Sequence, residues 1–497
     1  MVATACLVAE GSHPHRPRLA PRPRRGKDND TAMTNPHHDP EPDHPGTRPC
    51  PVRDPGRRTR SRWWSAGLAG MTGLALTTTV GIAATPTAAS TVAAPGTQAP
   101  ADSHRDEGKG GHTRSGKGKE QPKGTPVPCD ADALIAAITL ANARGGATLN
   151  LAKGCTYLLT TDIDSNGLPI ITTPITLNGH THTTIERAAA ADPFRILTVN
   201  TGGDLTLNKI KITGGQTAPG APGGGILVNL GGELTAKHSE IVRNIATFGV
   251  GGGVANRGTT TVKGSTVSRN TSRQGGGIFN TGRLTAGKVM FADNGVTGFG
   301  GGISSTSSGT AEVSDSTFTR NRALGGAGIG DSSGAITTVV GSTFTDNSAT
   351  ALGGGIFIDG QLTLRKVTIA NNTAPTQGAG VVIQNSMGGS SAVIEDSKIS
   401  NNTTAGGGGG IINVFAPLVL RDTKIEGNQA DTGGGLLNLF NSTSTLFNTA
   451  VVKNIAVNDG GGIFNDPTGV VVLNSFTGTV VIKNRPNNCV NVPDCAG

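Results

Sequence analysis

The chain has 497 residues, including 76 glycines, 13 phenylalanines, two tryptophans and one tyrosine. This composition excludes an ordinary core of large aromatic side chains and favours one elongated domain. The net charge of +8 arises mostly in residues 1–127, with 18 Lys and Arg against 11 Asp and Glu, whereas residues 128–497 hold 24 against 23. Because the larger part lacks a basic stripe interleaved with aromatic residues, nucleic acid is not an expected partner.

Three segments precede the region that we expect to fold. Residues 1–62 are rich in Pro, Arg and His without apolar periodicity, which predicts a disordered extension. Residues 63–90 hold an apolar run that follows arginines and ends in small residues, the order of a cleavable signal peptide. Residues 91–127 have the composition of a disordered basic linker. We therefore expect a secreted or cell-surface protein without a mature transmembrane span, translated from Met1 or Met33.

A cap is predicted at residues 128–160, before the repeats. The segment from Ala131 to Ala143 places apolar side chains on one face of a helix, with Asp130 as the N-cap and Gly145-Gly146 as the stop. The apolar residues on that face are Leu134, Ile135, Ile138 and Ala141. Such a helix would cover the open apolar end of a solenoid.

Four of the six cysteines follow the predicted signal peptide, two near each end of the folded region. In an exported chain this distribution predicts the disulfides Cys129–Cys155 and Cys489–Cys495, the second within a tail at residues 485–497. No Cys-x-x-Cys motif or Cys/His cluster indicates a zinc site, so no metal is expected.

Residues 161–484 carry two sequence columns that share one period of 24 to 30 residues. A glycine-rich triplet precedes an aliphatic residue at Ile226, Val254, Ile278, Ile303, Ile329, Ile356, Val381, Ile411, Leu436 and Ile463. An asparagine recurs at Asn244, Asn270, Asn294, Asn321, Asn347, Asn372, Asn402, Asn428, Asn454 and Asn484. Two columns with one period predict stacked repeats, and the irregular stretch from Thr160 to Thr213 predicts earlier, degenerate coils.

The residue types between the columns favour strands over helices. Counting back from each asparagine, the third, fifth and eighth positions are mostly apolar or small and are predicted to point inward, including Phe476 in the last repeat. The sixth position is often Gly, Asp or Asn, which suits a tight corner. We expect the asparagines to have a structural role, with stacked side-chain amides that satisfy one another from coil to coil.

Two motifs point to a family. The Gly-Gly-x-Ile segments and the Phe-x-x-Asn segments, such as Phe291-Ala292-Asp293-Asn294, resemble the repeats of polymorphic outer-membrane proteins and, more broadly, of secreted β-helix proteins of the pectate-lyase-like type. The resemblance extends roughly from Gly223 to Asn484. It implies an all-β, right-handed parallel β-helix and an exported surface protein, often an adhesin.

Charged residues in three successive repeats are the candidates for catalysis. Enzymes on this fold act on polysaccharides with calcium held by stacked carboxylates, or with paired carboxylates that flank a glycosidic bond. The candidate residues here are Lys366, Asp396, Asp422, Glu395 and Arg421, with Arg365 beside them. We favour a simpler interpretation, a ladder of alternating charges worth about 0.2–1 kcal/mol per pair. No cofactor is then expected, and calcium would matter only to a lyase.

The residues that follow the aliphatic anchors suggest a binding surface. If each anchor points inward, its successor points outward, which would form an apolar stripe. The residues concerned are Phe279, Phe357, Val382, Ile412, Leu437 and Phe464. Two alternatives remain open, since a neighbouring loop could cover the stripe and a bulge could turn it inward.

Length variation between repeats suggests a second binding surface. Ser304 to Thr310, Asn385 to Ser391 and Asn441 to Ser444 are predicted to project from one corner, with Ser, Thr, Gly and Asn but no carboxylate. Asn385 and Asn441 are the candidate ligand contacts. The sequence thus favours a non-catalytic, adhesin-like scaffold that binds a glycan, a cell-wall polymer or a protein. A carbohydrate-active enzyme and a structural spacer are the alternatives, and the oligomeric state stays open.

Overall fold

A computed structural model describes residues 124–495 and confirms the predicted fold, an all-β right-handed parallel β-helix. The predicted extension, the predicted signal peptide and residues 91–123 of the predicted linker lie outside the described residues. The expected linker boundary at 127 needs correction, because Thr125–Val127 is a strand that pairs in parallel with Ala147–Leu151. Val127 is buried, so the folded unit includes these residues.

Each regular coil contributes one strand to each of four parallel sheets, which we name A, B, C and D in chain order. Sheet A has 14 strands: Thr125–Val127, Ala147–Leu151, Pro174–Asn178, Asp204–Asn208, Glu233–Lys237, Thr259–Lys263, Arg283–Gly287, Thr310–Ser314, Ile336–Val340, Gln361–Arg365, Ser391–Glu395, Pro417–Arg421, Thr443–Phe447 and Val470–Asn474. Sheet B has 13 strands: Thr156–Leu159, Thr184–Arg187, Lys211–Thr213, Glu240–Val242, Thr266–Ser268, Met290–Ala292, Thr317–Thr319, Thr343–Thr345, Thr368–Ala370, Lys398–Ser400, Lys424–Glu426, Ala450–Val452 and Val480–Ile482.

The other two sheets complete each coil. Sheet C has 10 strands: Gln216–Thr217, Ile245–Ala246, Thr271–Ser272, Gly295–Val296, Arg322–Gly325, Ser348–Leu352, Thr373–Ala374, Thr403–Thr404, Gln429–Thr432 and Ile455–Asp459. Sheet D has 12 strands: Leu197–Val199, Ile226–Val228, Val254–Asn256, Ile278–Asn280, Ile303–Ser305, Ile329–Asp331, Ile356–Ile358, Val381–Gln384, Ile411–Val414, Leu436–Leu439, Ile463–Asn465 and Cys489–Val490.

The core fills the lumen of the coils, because alternate strand residues point inward. In one representative coil, Leu234 and Ala236 of sheet A and Ile241 of sheet B are buried, while Thr235 is half-exposed. The prediction for Phe476 is wrong. A 3₁₀ turn at Ser475–Thr477 lengthens the last A–B corner and leaves Phe476 fully exposed, so that Leu473 pairs with Leu446 instead.

The corners depend on residues with positive φ. The predicted A–B corner column, His238, Gly264, Lys288, Asp315, Gly341, Lys366, Asp396, Asp422 and Asn448, has φ between 43° and 61° throughout. The glycine triplets form the C–D corner, where the first glycine also has positive φ, 61° at Gly275, and the other two allow adjacent coils to lie close together. A Cβ atom on Gly277 would lie 2.5 Å from the carbonyl oxygen of Gly302 in the next coil. A side chain there would push the coils apart.

The asparagine column forms a continuous hydrogen-bonded ladder at the B–C corner. In a typical step, the backbone N–H and the side-chain Nδ2 of Asn294 both donate to Oδ1 of Asn321 at 3.0 Å. Nδ2 of Asn321 also donates to the carbonyl oxygen of Phe291 at 3.0 Å. At the end of the ladder, Asn484 donates to Oδ1 of Asn488. Each buried amide therefore satisfies backbone groups that the corner would otherwise leave unpaired.

Breaking one step of this ladder should weaken the fold. We expect Asn321→Ala to lower the free energy of unfolding by about 2 kcal/mol, because it leaves buried groups of Asn294 and Phe291 without partners. The measurement is guanidinium unfolding followed by circular dichroism. The matched control is Asn458→Ala, since the exposed Asn458 donates only to Asp431, and we expect less than about 0.5 kcal/mol there. Equal effects at the two positions would contradict the structural role of the ladder.

Both ends of the solenoid are closed as predicted. The helix Ala131–Ala143 begins at Asp130, whose carboxylate accepts from the N–H groups of Asp132 and Ala133, and the helix buries Leu134, Ile138 and Ala141. The disulfides Cys129–Cys155 and Cys489–Cys495 are confirmed, with Cα atoms 5.6 and 6.2 Å apart. Within residues 124–495, no helix has the length and apolarity needed to cross a membrane.

Candidate functional site

The charged residues singled out from the sequence lie at the A–B corner of three successive coils. Lys366, Asp396 and Asp422 occupy equivalent corner positions with φ of 56°, 49° and 48°. The last residues of the adjoining sheet A strands, Arg365, Glu395 and Arg421, are in register with one another. The three corner residues line a shallow groove of about 550 Å³ together with outward side chains of sheet B.

The contacts within this group are those of a charge ladder. Nη1 of Arg421 lies 3.1 Å from Oε1 of Glu395, and Nε of Arg365 lies 3.8 Å from Oδ2 of Asp396. Asp422 accepts a hydrogen bond from Nδ2 of Asn448 in the next coil. These side chains are about one-third to one-half exposed, so each ion pair contributes little stability. Among residues 124–495 no cluster of three or more His, Cys, Asp or Glu is placed to hold a metal ion.

The expected apolar stripe is not an open surface. Phe357 and Ile412 are buried, with 8% and 0% exposure, and they form a second hydrophobic cluster with Val382 and Leu437 outside the lumen. The cause is the C–D corner, which folds back over the outer face of sheet D. A Cβ atom on Gly378 would lie 2.1 Å from Cγ2 of Val382, for example. The two remaining residues of the stripe, Phe279 and Phe464, are half-buried.

The three predicted insertions share one corner, the D–A corner, but only residues 306–309, 385–390 and 441–442 lie in its turns. The prediction that the whole segments project is wrong, because Ser304, Ser305 and Ser444 are buried strand residues. Nδ2 of Asn385 donates to the carbonyl oxygen of Phe415 in the next coil at 3.1 Å. The N–H of Asn441 donates to Oγ1 of Thr468 at 3.1 Å. Both candidate asparagines therefore help to fix the backbone of this corner, and Asn441 is also exposed.

The D–A corner also carries a pair of exposed phenylalanines in adjacent coils, which was not predicted from the sequence. The rings of Phe415 and Phe440 stack with centroids 5.3 Å apart and an interplanar angle of 21°. The two residues are 48% and 43% exposed, and their φ angles are 60° and 50°. Positive φ in a bulky residue costs about 1–2 kcal/mol, so each ring is presented from a strained backbone.

A sequence signal for this pair does exist. Both phenylalanines come directly after an apolar sheet D strand, at the first position of the turn, where other coils have polar residues such as Arg257, Thr281 or Asp359. The alternation of strand residues, from which the apolar stripe was predicted, does not extend to the first position of a turn.

The D–A corner also contains carboxylates, although the insertions contain none. Asp359 accepts from the N–H and the hydroxyl of Ser386, and Asp466 accepts from the N–H and the hydroxyl of Thr468. Their sheet D strands are four coils apart, roughly 19 Å at the usual strand spacing. Two carboxylates that flank one glycosidic bond stand within about 10 Å of each other. Asp359 and Asp466 are therefore too far apart to act on the same bond.

A second asparagine ladder underlies the phenylalanine pair. Nδ2 of Asn413 donates to Oδ1 of Asn438 at 3.1 Å, and Nδ2 of Asn438 donates to Oδ1 of Asn465 at 2.8 Å. All three side chains are buried. In an earlier coil the corresponding position is Asp331, and burial raises the pKa of its carboxyl to about 6. Asp331 accepts from the Ser305 N–H at 2.9 Å and from the Thr337 hydroxyl at 2.5 Å.

Comparisons with known proteins concern the fold. No curated protein sequence matches the chain. Among solved structures, the chain is similar to the Azotobacter vinelandii mannuronan C-5 epimerase AlgE6 A-module, with 14% sequence identity, a TM-score of 0.39, and coverage of 73% of this chain and 94% of that chain. Residues 175–374 match the family model described as right handed beta helix region, the architecture that the four parallel sheets display.

Proposed function

We propose that this chain is an exported, non-catalytic scaffold that binds a glycan along its D–A corner. The observation that carries the proposal is the stacked pair Phe415 and Phe440, two exposed rings held at positive φ. Positive φ is common at the corners of this solenoid, but here the corner holds two bulky apolar side chains whose stacked rings stay exposed, which favours a binding role. The flat faces of the two rings suit the apolar faces of sugar rings.

The surroundings of the rings support an extended ligand. The pair lies in a row that runs along the solenoid axis from Asp359 through Asn385 to Asp466, advancing about 4.8 Å per coil. Carboxylate, amide and hydroxyl groups on both sides of the rings can hydrogen-bond to sugar hydroxyls. Met387, which is 83% exposed, adds an adaptable apolar contact beside the rings. A polymer parallel to the axis would meet each coil in turn.

Two further observations favour binding without turnover outside the cell. The carboxylates along the row are too far apart to flank one bond, and Glu395 and Asp396 at the other corner are paired with arginines. Two disulfides are typical of proteins from an oxidising compartment. The alternative is a carbohydrate-active enzyme that uses Asp396, Asp422, Glu395, Lys366 and Arg421 in the groove at the A–B corner.

The double variant Phe415→Asn with Phe440→Asn tests the proposal. Native affinity electrophoresis, in gels cast with starch, xylan, glucomannan or laminarin, measures retention by neutral polysaccharides. We expect at least one polymer to retain the wild-type chain and not the double variant. Stability should stay equal or rise, because asparagine tolerates positive φ better than phenylalanine does.

The matched control is Phe248→Asn. Phe248 is 78% exposed with φ of 53°, but it lies at the C–D corner of an earlier coil. We expect this variant to be retained like the wild type. Absence of retention by all four polymers, or equal retention of the double variant, would refute the site. The enzyme alternative would be established if the wild type released reducing ends from a polysaccharide and the double variant Asp396→Asn with Asp422→Asn did not.

A further inference from the structure

A second surface, which the proposed glycan site does not use, lies at the A–B corner of the first regular coils. Six lysines from five of six successive coils project around this corner, and we name them the lysine corner: Lys153, Lys209, Lys211, Lys237, Lys263 and Lys288. Five of them are exposed, and Lys211 is half-buried. From the first coil to the sixth, the corner extends about 24 Å along the solenoid axis at the usual strand spacing.

The lysine corner forms no ion pair with carboxylates of the described chain, although Glu240 is the register neighbour of Lys211 in sheet B. None of the six ammonium groups lies within 4.0 Å of a carboxylate oxygen among residues 124–495. Lys237 and Lys263 are direct neighbours in the register of sheet A. Like charges on directly opposed strand residues destabilise a sheet. The adjacent ammonium groups of Lys237 and Lys263 are therefore expected to lower the stability of the fold.

The same corner looks different in later coils. There Arg365 pairs with Asp396, and Arg421 pairs with Glu395, so positive and negative residues alternate. Because both halves share the same backbone corner, the corner geometry does not require a run of lysines. The difference between the halves points to a negatively charged partner for the first half.

The local shape also suits a ligand. A groove of about 470 Å³ at this corner is lined by Lys209, Lys211 and three histidines, with Glu240 as the carboxylate beside them. A Cβ atom on Gly264, in the next coil, would lie 2.9 Å from Nδ1 of His238, so the glycine leaves room for the imidazole of His238. His180 and His182 add further ring nitrogens that can hydrogen-bond to a ligand.

We infer that the lysine corner binds a linear anionic glycan that lies along the solenoid axis. The stripe is several coils long and one corner wide, which fits a polymer chain better than a flat anionic membrane. Lysines act as separate point charges, whereas the planar fork of arginine recognises single carboxylates or phosphates in a bidentate manner. This corner presents no outward Phe, Tyr or Trp ring in these six coils, and such rings are the usual stacking platform of proteins that bind single-stranded nucleic acid.

This site is separate from the proposed glycan site. Four sheet A strands lie along the chain between the sheet A strand that ends at Gly287 and the sheet D strand that ends at Val414, and the two sites occupy different corners. Substitutions at one site are therefore expected to leave the other unchanged, and each proposal can fail by itself.

The test uses two double variants of the full-length chain. The lysine-corner variant carries Lys237→Gln and Lys263→Gln, and the control variant carries Lys453→Gln and Lys483→Gln. Both double variants lose the same charge, and the control residues lie at the B–C corner near the far end. Residues 1–127, with 18 Lys and Arg, are common to all three proteins. Immobilised polygalacturonate and heparin probe carboxylated and sulfated glycans, poly-dT probes nucleic acid, and dextran is the neutral reference.

At low salt, we expect the wild type to bind polygalacturonate or heparin, and the lysine-corner variant to bind about tenfold more weakly. The control variant should change less than about twofold, and the salt dependence should decrease only in the lysine-corner variant. Both variants should still be retained by the neutral polysaccharide that the phenylalanine pair is proposed to bind. Equal weakening in both variants, no binding to either glycan, or binding of poly-dT as tight as that of the glycans would overturn the inference.

Discussion

Phe318→Ala is expected to lower the free energy of unfolding by about 3–5 kcal/mol, the largest effect of any single substitution considered. Phe318 is fully buried in sheet B, and its ring stacks between those of Phe291 and Phe344, with centroid distances of 4.7 and 4.4 Å. Truncation leaves a cavity between two rings. The parallel strands on each side fix the coil spacing, so the neighbouring coils cannot close that cavity.

The measurement is equilibrium unfolding in guanidinium followed by circular dichroism. Phe476→Ala is the matched control, because the same ring is fully exposed on the 3₁₀ turn of the last coil. We expect the control to change stability by less than about 0.5 kcal/mol. If the two substitutions have similar effects, the buried column of rings does not hold the coils together.

The repeat period explains why so much of the fold could be predicted. A parallel β-helix places equivalent residues in register, so one column in the sequence becomes one column in space. The anchors, the asparagines and the corner residues therefore sit in equivalent positions from coil to coil. The error at Phe476 has the same origin, because counting a fixed number of residues back from Asn484 cannot detect an extra turn.

The surface was harder to predict, because it depends on packing between segments that share no pattern. Alternation places Ile412 on the outer face of sheet D, but burial follows from the C–D corner that folds over it. Phe415 and Phe440 are 25 residues apart in the sequence and become neighbours only through coil register. The lysine corner was missed for a related reason. A net charge summed over residues 128–497 is almost zero, although lysines from five coils line one corner.

Asp331→Asn is expected to stabilise the protein by about 3 kcal/mol at pH 8. Asp331 is 2% exposed, and burial raises the pKa of its carboxyl from 3.8 to about 6. Below about pH 4 the group is protonated in both the folded and the unfolded chain, so it carries no penalty. Between about pH 4 and 6 the unfolded chain ionises first, and stability falls as the pH rises. Above that range the full penalty persists, and a pKa raised from 3.8 to about 6 corresponds to about 3 kcal/mol.

Asparagine suits this position because two earlier coils already use it there. Nδ2 of Asn256 donates to Oδ1 of Asn280 at 2.8 Å in the same sheet D column. In the Asp331→Asn variant, the amide oxygen of the introduced side chain would accept from the Ser305 N–H as the carboxylate does now, and the Thr337 hydroxyl can accept from the amide nitrogen. The substitution thus removes a buried charge while the oxygen and the nitrogen of the introduced amide each have a hydrogen-bond partner.

The decisive measurement is the pH dependence of guanidinium unfolding from pH 4 to pH 8 for the wild type, Asp331→Asn and Asp315→Asn. Asp315 is exposed at an A–B corner with φ of 48°, which asparagine also tolerates, so this control removes the same charge from solvent. We expect the difference between Asp331→Asn and the wild type to grow by about 3 kcal/mol from pH 4 to pH 8, and the control to follow the wild type. A difference that does not vary with pH would show that the carboxyl of Asp331 has the same pKa in the folded and the unfolded chain, so that its burial carries no penalty for ionisation. A loss of stability at pH 8 would show that the carboxylate has a favourable role at this position that an amide cannot replace.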